Sequence, residues 1–246
     1  MNDVSGISAD PSASYPRVVW KDWGGDFAAW VDDLLIREGQ TFLEDVPAAA
    51  ALTDESPLNE AYYLRHRIET VWRIWLTART DALALAAMIG EDYESARSWS
   101  EYTAEEMDHD RMFLADLLVH GVTREEVVKT GPLQPTIEMV EYIEQGIREY
   151  GALPAVAYSL FVEWNSERFS RRAVQKAEMA FSERHVAGSK FHVGIDLEES
   201  HLPVMLGITE RLVRSSGNRA LLEKLLRDIA RFFRAYFVKL HEETNT

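Results

Sequence analysis

The 246-residue chain contains no cysteine. A disulfide framework, a zinc–thiolate site and a thiol nucleophile are therefore all excluded. Positive charge is also scarce: 26 Lys and Arg stand against 41 Asp and Glu, a formal net charge of −15. Nucleic acid and anionic membrane surfaces both require clustered positive charge, so neither is an expected partner. Only 13 glycines and 8 prolines occur, too few for a collagen-like or low-complexity chain. No stretch approaches the roughly 18 uninterrupted apolar residues that a membrane span needs. Residues 1–16 are polar and rich in Ser, Asp and Gly, with no basic region followed by an apolar one, so no secretory signal is expected. β-branched alternation over four or more residues is missing, which leaves no expected strand. What remains is a cytoplasmic enzyme or binding protein.

What is present is helical periodicity. Residues 1–20 read as a flexible tail and 21–246 as one domain, with helices near 24–45, 57–90, 93–120, 134–150, 154–183, 187–215 and 217–243. Gly90, Gly121 and Gly131-Pro132 punctuate the breaks, and Pro154 suits a first helical turn. The expected fold class is all-α, a single-domain bundle of about seven helices.

The segment 93–120 carries the most chemical information. Trp99, Tyr102, Phe113 and Leu117 share one helical face, Glu106 lies at its centre and His109 beside it. Glu101, Glu105, Asp108 and Arg111 point elsewhere, as solvated residues. A carboxylate within an apolar stripe is costly unless paired, protonated or bound to a cation. Glu106 and His109 also have the E-x-x-H spacing that places two metal ligands on one side of a helix. That pattern alone is a common surface accident; its place on the apolar face gives it weight. Glu163 is the only ionisable residue in the run 155–164. His192, Asp196 and Glu199 share a face of the next helix, 187–215. His201 falls about 140° off that face on an ideal helix, although Pro203 crowds the preceding turn and provides a way to swing it inward. Carboxylates and imidazoles without sulfur suit Fe(II) or Mn(II).

Residues 102–128 resemble the haem-oxygenase-like di-iron oxidases and oxygenases, with Glu106, His109, Asp116-Leu117 and the helix-closing Gly121 matching that family's pattern. Glu163 matches a later family glutamate. His192 and Asp196 match the first two members of His-x-x-x-Asp-x-x-His, and the third position is Glu199, with His201 the nearest histidine. The resemblance covers roughly residues 57–215. It implies a haem-oxygenase-like bundle, two non-haem Fe(II) as cofactor and O2 as co-substrate. It further implies oxidation of a small molecule such as an amino acid or related carboxylate, in natural-product biosynthesis. The implied metal ligands are Glu106, His109, Glu163, His192 and Asp196, completed by His201 or Glu199. Thiaminase-like relatives of that fold use a cysteine, which is missing here, and haem oxygenase uses a proximal histidine near the start of the chain, whereas 24–45 has none.

Two other readings stay open. Glu69, Glu106/His109, Glu163 and Glu198/His201 also fit a ferritin-like di-iron N-oxygenase, though Glu69 lies with His66 and Arg73 on a polar face, where a surface network is the plain explanation. A non-catalytic helical scaffold with a buried hydrogen-bonded network is the second. Arg73, Arg168, Lys190 and the Arg171-Arg172 pair are candidates to neutralise a substrate carboxylate. His120 is expected to favour a helix C-terminal dipole, His185 to lie on the surface, and the tryptophans to serve packing. The oligomeric state is open, with a homodimer a reasonable form.

Overall fold

The computed structural model describes residues 25–198 and 201–245, with side chains left undescribed at 195–198 and 215–216. The expected tail 1–20, Trp20, Trp23, Glu199 and the side chain of Asp196 therefore lie outside the described residues. The described chain is all α-helical, and no strand occurs within it. Ten α-helices follow one another: α1 Gly25–Asp45, α2 Glu60–Glu91, α3 Tyr93–Glu106, α4 His109–Val119, α5 Arg124–Thr130, α6 Gln134–Tyr150, α7 Leu153–Phe181, α8 Ala187–Glu198, α9 His201–Ser216 and α10 Arg219–Thr244. None is long and apolar enough to cross a membrane.

Local chemistry sets most of the starts. Asn59 accepts the Tyr62 N–H ahead of α2, Asp92 the Ser95 N–H ahead of α3, and Asn218 the Leu221 N–H ahead of α10. Thr123 and Glu126 form a reciprocal capping box on α5, and Pro154 falls in the first turn of α7. Gly121 and Gly131 follow α4 and α5 at φ of 84° and 71°, a conformation that only glycine adopts without cost.

The helix count exceeds the expected seven for two local reasons shown in the described residues, the break at Met107-Asp108 and the short α5. The segment 93–120 is broken at Met107-Asp108, so Glu106 ends α3 and His109 opens α4. Residues 187–198 and 201–216 are described as α8 and α9, and residues 199–200 between them lie outside the described residues. The short α5, held by its capping box, escapes a reading based on longer periodicity.

The middle of the bundle is α7, which packs on α6, α9 and α10, while α2 packs on α3, α4 and α6. Residues Leu153 to Phe161 of α7 are all buried. Trp99, Trp164, Leu160, Ile143, Met205 and Leu222 are fully buried in the same core, each contributing on the order of 1.5–3 kcal/mol of apolar burial. Trp164 donates to Asp32 and Trp99 to the Asp81 carbonyl, which gives these buried indoles their packing role.

Candidate metal centre

Four helices converge on Glu106. Its carboxylate is supplied by the last residue of α3, and His109 at the start of α4 lies 3.1 Å away through Nδ1. From α9, His201 brings Nδ1 to 3.3 Å from the other Glu106 oxygen. From α7, Glu163 accepts the Tyr102 hydroxyl at 2.9 Å. From α8, the His192 ring meets His109 nearly edge to face, centroids 4.2 Å apart. The donor atoms form two triads, Glu106–His109–His192 and Glu106–Glu163–His201, each with all ligand atoms within 4.8 Å of one another. His109, Glu163 and His201 are buried. Glu106 belongs to both triads, so its carboxylate is common to the two groups.

The surroundings hold these ligands in place. His201 Nε2 lies 2.9 Å from Glu105 Oε2, so the ring is oriented by one carboxylate while its other nitrogen faces the cluster. That Nδ1 is buried and, despite its approach to Glu106, makes no aligned hydrogen bond. A partly buried donor set of two carboxylates and three imidazoles without sulfur fits a divalent metal such as Fe(II) or Mn(II).

Without a metal, the cluster is held together by ion pairs. Burial alone would raise the Glu106 pKa, but the approach of His109 and His201 outweighs it and brings the carboxyl down to about 2. Burial opposes charge on His201, and Glu106, Glu163 and Glu105 overcome it, lifting the imidazole to about 9. Asp81, on α2, behaves in the opposite way: burial first and the Glu106 charge second push it up to about 8.

Several expectations need correction. Glu105 is not simply solvated; it is the partner of His201, contributed from a helix 96 residues away. Glu69, His66 and Arg73 form no surface network. Glu69 is fully buried, pairs with Arg65 at 2.8 Å and accepts the Leu133 N–H ahead of α6, and it joins neither triad. His120 adds no charge to a helix dipole: burial and then His185 push its pKa below the ordinary value, and its ring packs on Tyr63, Phe181 and His185. Arg168 pairs with Asp32 inside the core, and Lys190 pairs with Glu178 and Glu183. Arg171 and Arg172 are exposed.

Asp116, read from the sequence only as part of a motif, has a positioning role. Buried on α4, it accepts the N–H groups of Gly188 and Ser189 at 2.7 and 2.8 Å and the Ser189 hydroxyl at 2.6 Å. It therefore pins the start of α8, the helix that carries His192. Asp81 and Tyr102 were also missed as polar neighbours of the cluster; Tyr102 was read as apolar surface. Beside the cluster lies a cavity of about 380 Å³, lined by Glu106, His192 and Asp81, by aromatic residues of α7 and α10, and by His66, Arg67 and Arg73 of α2.

No protein-family model and no curated protein matches the chain. Among solved structures it is similar to a domain of unknown function with a haem oxygenase-like fold from Shewanella denitrificans OS217, with TM-score 0.74, 15% identity, and coverage of 89% of this chain and 93% of that one. It is also similar to a TenA homologue from Pseudomonas syringae pv. tomato DC3000, with TM-score 0.60, 16% identity, and coverage of 83% and 93%. The chain therefore has the haem oxygenase-like fold.

Proposed function

We propose that the chain is a non-haem di-iron, O2-dependent oxidoreductase of the haem-oxygenase-like di-iron group, acting on a small amino acid or related carboxylate. The observation that carries this reading is the pair of His/carboxylate triads sharing Glu106. His109 and His192 would hold one ion with Glu106, and Glu163 and His201 would hold a second with the same carboxylate; Asp196 and Glu199 remain candidates to complete the set. Two ferrous ions, when bound, would supply electrons for the reduction of dioxygen, with the substrate supplying the remainder. The chain contributes orientation and exclusion of water. Tyr102 fixes Glu163, Glu105 fixes the His201 ring, and the half-buried Glu106 and His192 open onto the cavity where a substrate would lie. Oxygen uptake by Fe(II)-loaded protein, measured with a panel of amino and fatty acids, tests the activity. Uptake stimulated by a panel member supports it, and uptake that no member alters, with no organic product formed, counts against it.

A helical scaffold is the second reading, because the Glu106–His109 and Tyr102–Glu163 contacts also form a hydrogen-bonded network without a metal. Such a protein takes up no stoichiometric iron.

A further inference from the structure

The cavity beside the candidate metal centre contains two arginines, and among the described residues neither makes a salt bridge. Arg67 and Arg73 both stand on the α2 face that lines the cavity. Arg67 is buried, its Nε has no hydrogen-bond partner, and its guanidinium rests only on the rings of Tyr63 and Phe113, at 5.2 and 5.3 Å. Arg73 donates from Nη2 to Thr70 at 3.2 Å, while its Nη1 is buried with no partner. Its guanidinium also lies over Phe233 and Tyr236, and against its burial the Tyr236 and Tyr158 hydroxyls and the charge of Glu69 favour its charged form without pairing it to a carboxylate. The carboxylates within reach are committed elsewhere. Glu69 is paired with Arg65, and Glu38, which lines the same cavity, is paired with Arg227 at 2.6 Å. An unpaired buried cation is costly, so its persistence calls for an anion that the chain itself does not supply.

The rest of the cavity indicates what carries that anion. Its walls include Phe42, Leu43, Phe161, Phe169, Phe233 and Phe237, an apolar lining suited to a hydrocarbon or aromatic body. Along α2, Arg73 and Asp81 are two turns apart, about 12 Å of helix axis. Between them Tyr158 lies within electrostatic reach of Arg73, Asp81 and Glu106. One small molecule can therefore span from the guanidinium groups to the cluster. Beside the arginines, burial first and then Arg73 and Arg67 hold His66 well below its ordinary pKa, so its imidazole adds no further charge.

We propose that Arg67 and Arg73 form the anion-recognising end of the substrate cavity and grip the carboxylate of an organic acid whose apolar body extends toward Glu106 and His192. This rests on the cavity being the substrate site of the metal centre described above. Arginine is suited to the task because its fork binds a carboxylate in bidentate fashion. It also implies that the carboxylate docks remote from the metals, leaving the far end of the molecule as the part presented for oxidation.

The test uses the metal-free protein and octanoate, with octanol as the uncharged control of equal length, by titration calorimetry. Saturable octanoate binding, at least tenfold tighter than octanol, is expected. Arg67→Met and Arg73→Met should each weaken octanoate tenfold or more and leave octanol unchanged. Both variants should also melt no lower than the parent when ligand is absent, since each removes an unpaired buried charge; a lower melting temperature marks a structural role and overturns the assignment. Absence of saturable octanoate binding, equal affinity for octanol, or indifference to both substitutions overturns it as well. Inorganic phosphate binding as tightly as octanoate replaces the carboxylate assignment with a general oxyanion site. Iron uptake, measured on the same proteins, separates this subsite from the metal reading. Arg67→Met and Arg73→Met retain the parent's iron, and a parent that takes up none fails as a metalloenzyme whatever its affinity for octanoate.

Discussion

Single residues at the cluster have roles that differ in kind, and substitutions separate them. His109 and His192 belong to one triad and Glu163 and His201 to the other, with Glu106 in both. His109→Ala and His192→Ala should leave the helical circular dichroism intact while lowering iron content toward one ion per chain or below; full occupancy in either variant would show that these imidazoles are not ligands. Asp81 gives a pH signature. Its carboxyl, ordinarily near 3.8, is raised to about 8 by burial and by Glu106. The folded protein therefore keeps a proton that the unfolded chain releases, and its stability falls as pH rises from about 4 to about 8. Asp81→Asn should raise the melting temperature of the metal-free protein by a few degrees at pH 8 and leave it unchanged near pH 4. An equal shift at both pH values would rule out this linkage. These residues were unequally legible. Glu106 and Glu163 are conspicuous because a carboxylate within apolar sequence is costly. The partners Glu105 and Tyr102 look like an ordinary solvent-facing glutamate and an ordinary core tyrosine, and only their contacts to His201 and Glu163 reveal them.

The elements matter because they hold ligands from distant parts of the chain at a fixed distance. The start of α8 lies against α4, where a Cβ on Gly188 would meet the Met112 carbonyl oxygen at 2.1 Å and Asp116 Oδ1 at 3.1 Å. Asp116 accepts three hydrogen bonds from that same turn. Gly188→Ala and Asp116→Ala should both displace α8, with His192, from His109. A loss of about 1–3 kcal/mol in unfolding free energy is expected for each, with weaker iron binding alongside. Iron affinity unchanged in both variants would mean that the α4–α8 junction does not position the ligand. Helix existence was readable from periodicity and caps, but the break at Met107-Asp108 was not. Glu106 and His109 were expected one turn apart on a continuous helix; a two-residue turn separates them and places them at facing helix ends. His201 falls off the ligand face of an ideal unbroken helix through His192 and Asp196, yet its Nδ1 lies 3.3 Å from Glu106.

At the scale of the whole molecule, an acidic helical bundle encloses a cavity that ends at the cluster and includes two arginines that make no salt bridge among the described residues. The all-α class followed from absences: no cysteine, no alternating β-branched runs, few glycines and prolines. The cavity did not, because it depends on how α2, α7 and α10 stack, and on Glu69 being paired with Arg65 and Leu133 while Arg73 makes no salt bridge. The most direct test of the di-iron centre is an anaerobic Fe(II) titration of the metal-free protein, with bound metal measured after removal of excess. Two irons per chain in the parent and loss of both on Glu106→Ala are expected, because both triads share that carboxylate. No stoichiometric uptake in the parent, or full uptake without Glu106, would contradict the centre and leave the buried network of a helical scaffold in its place.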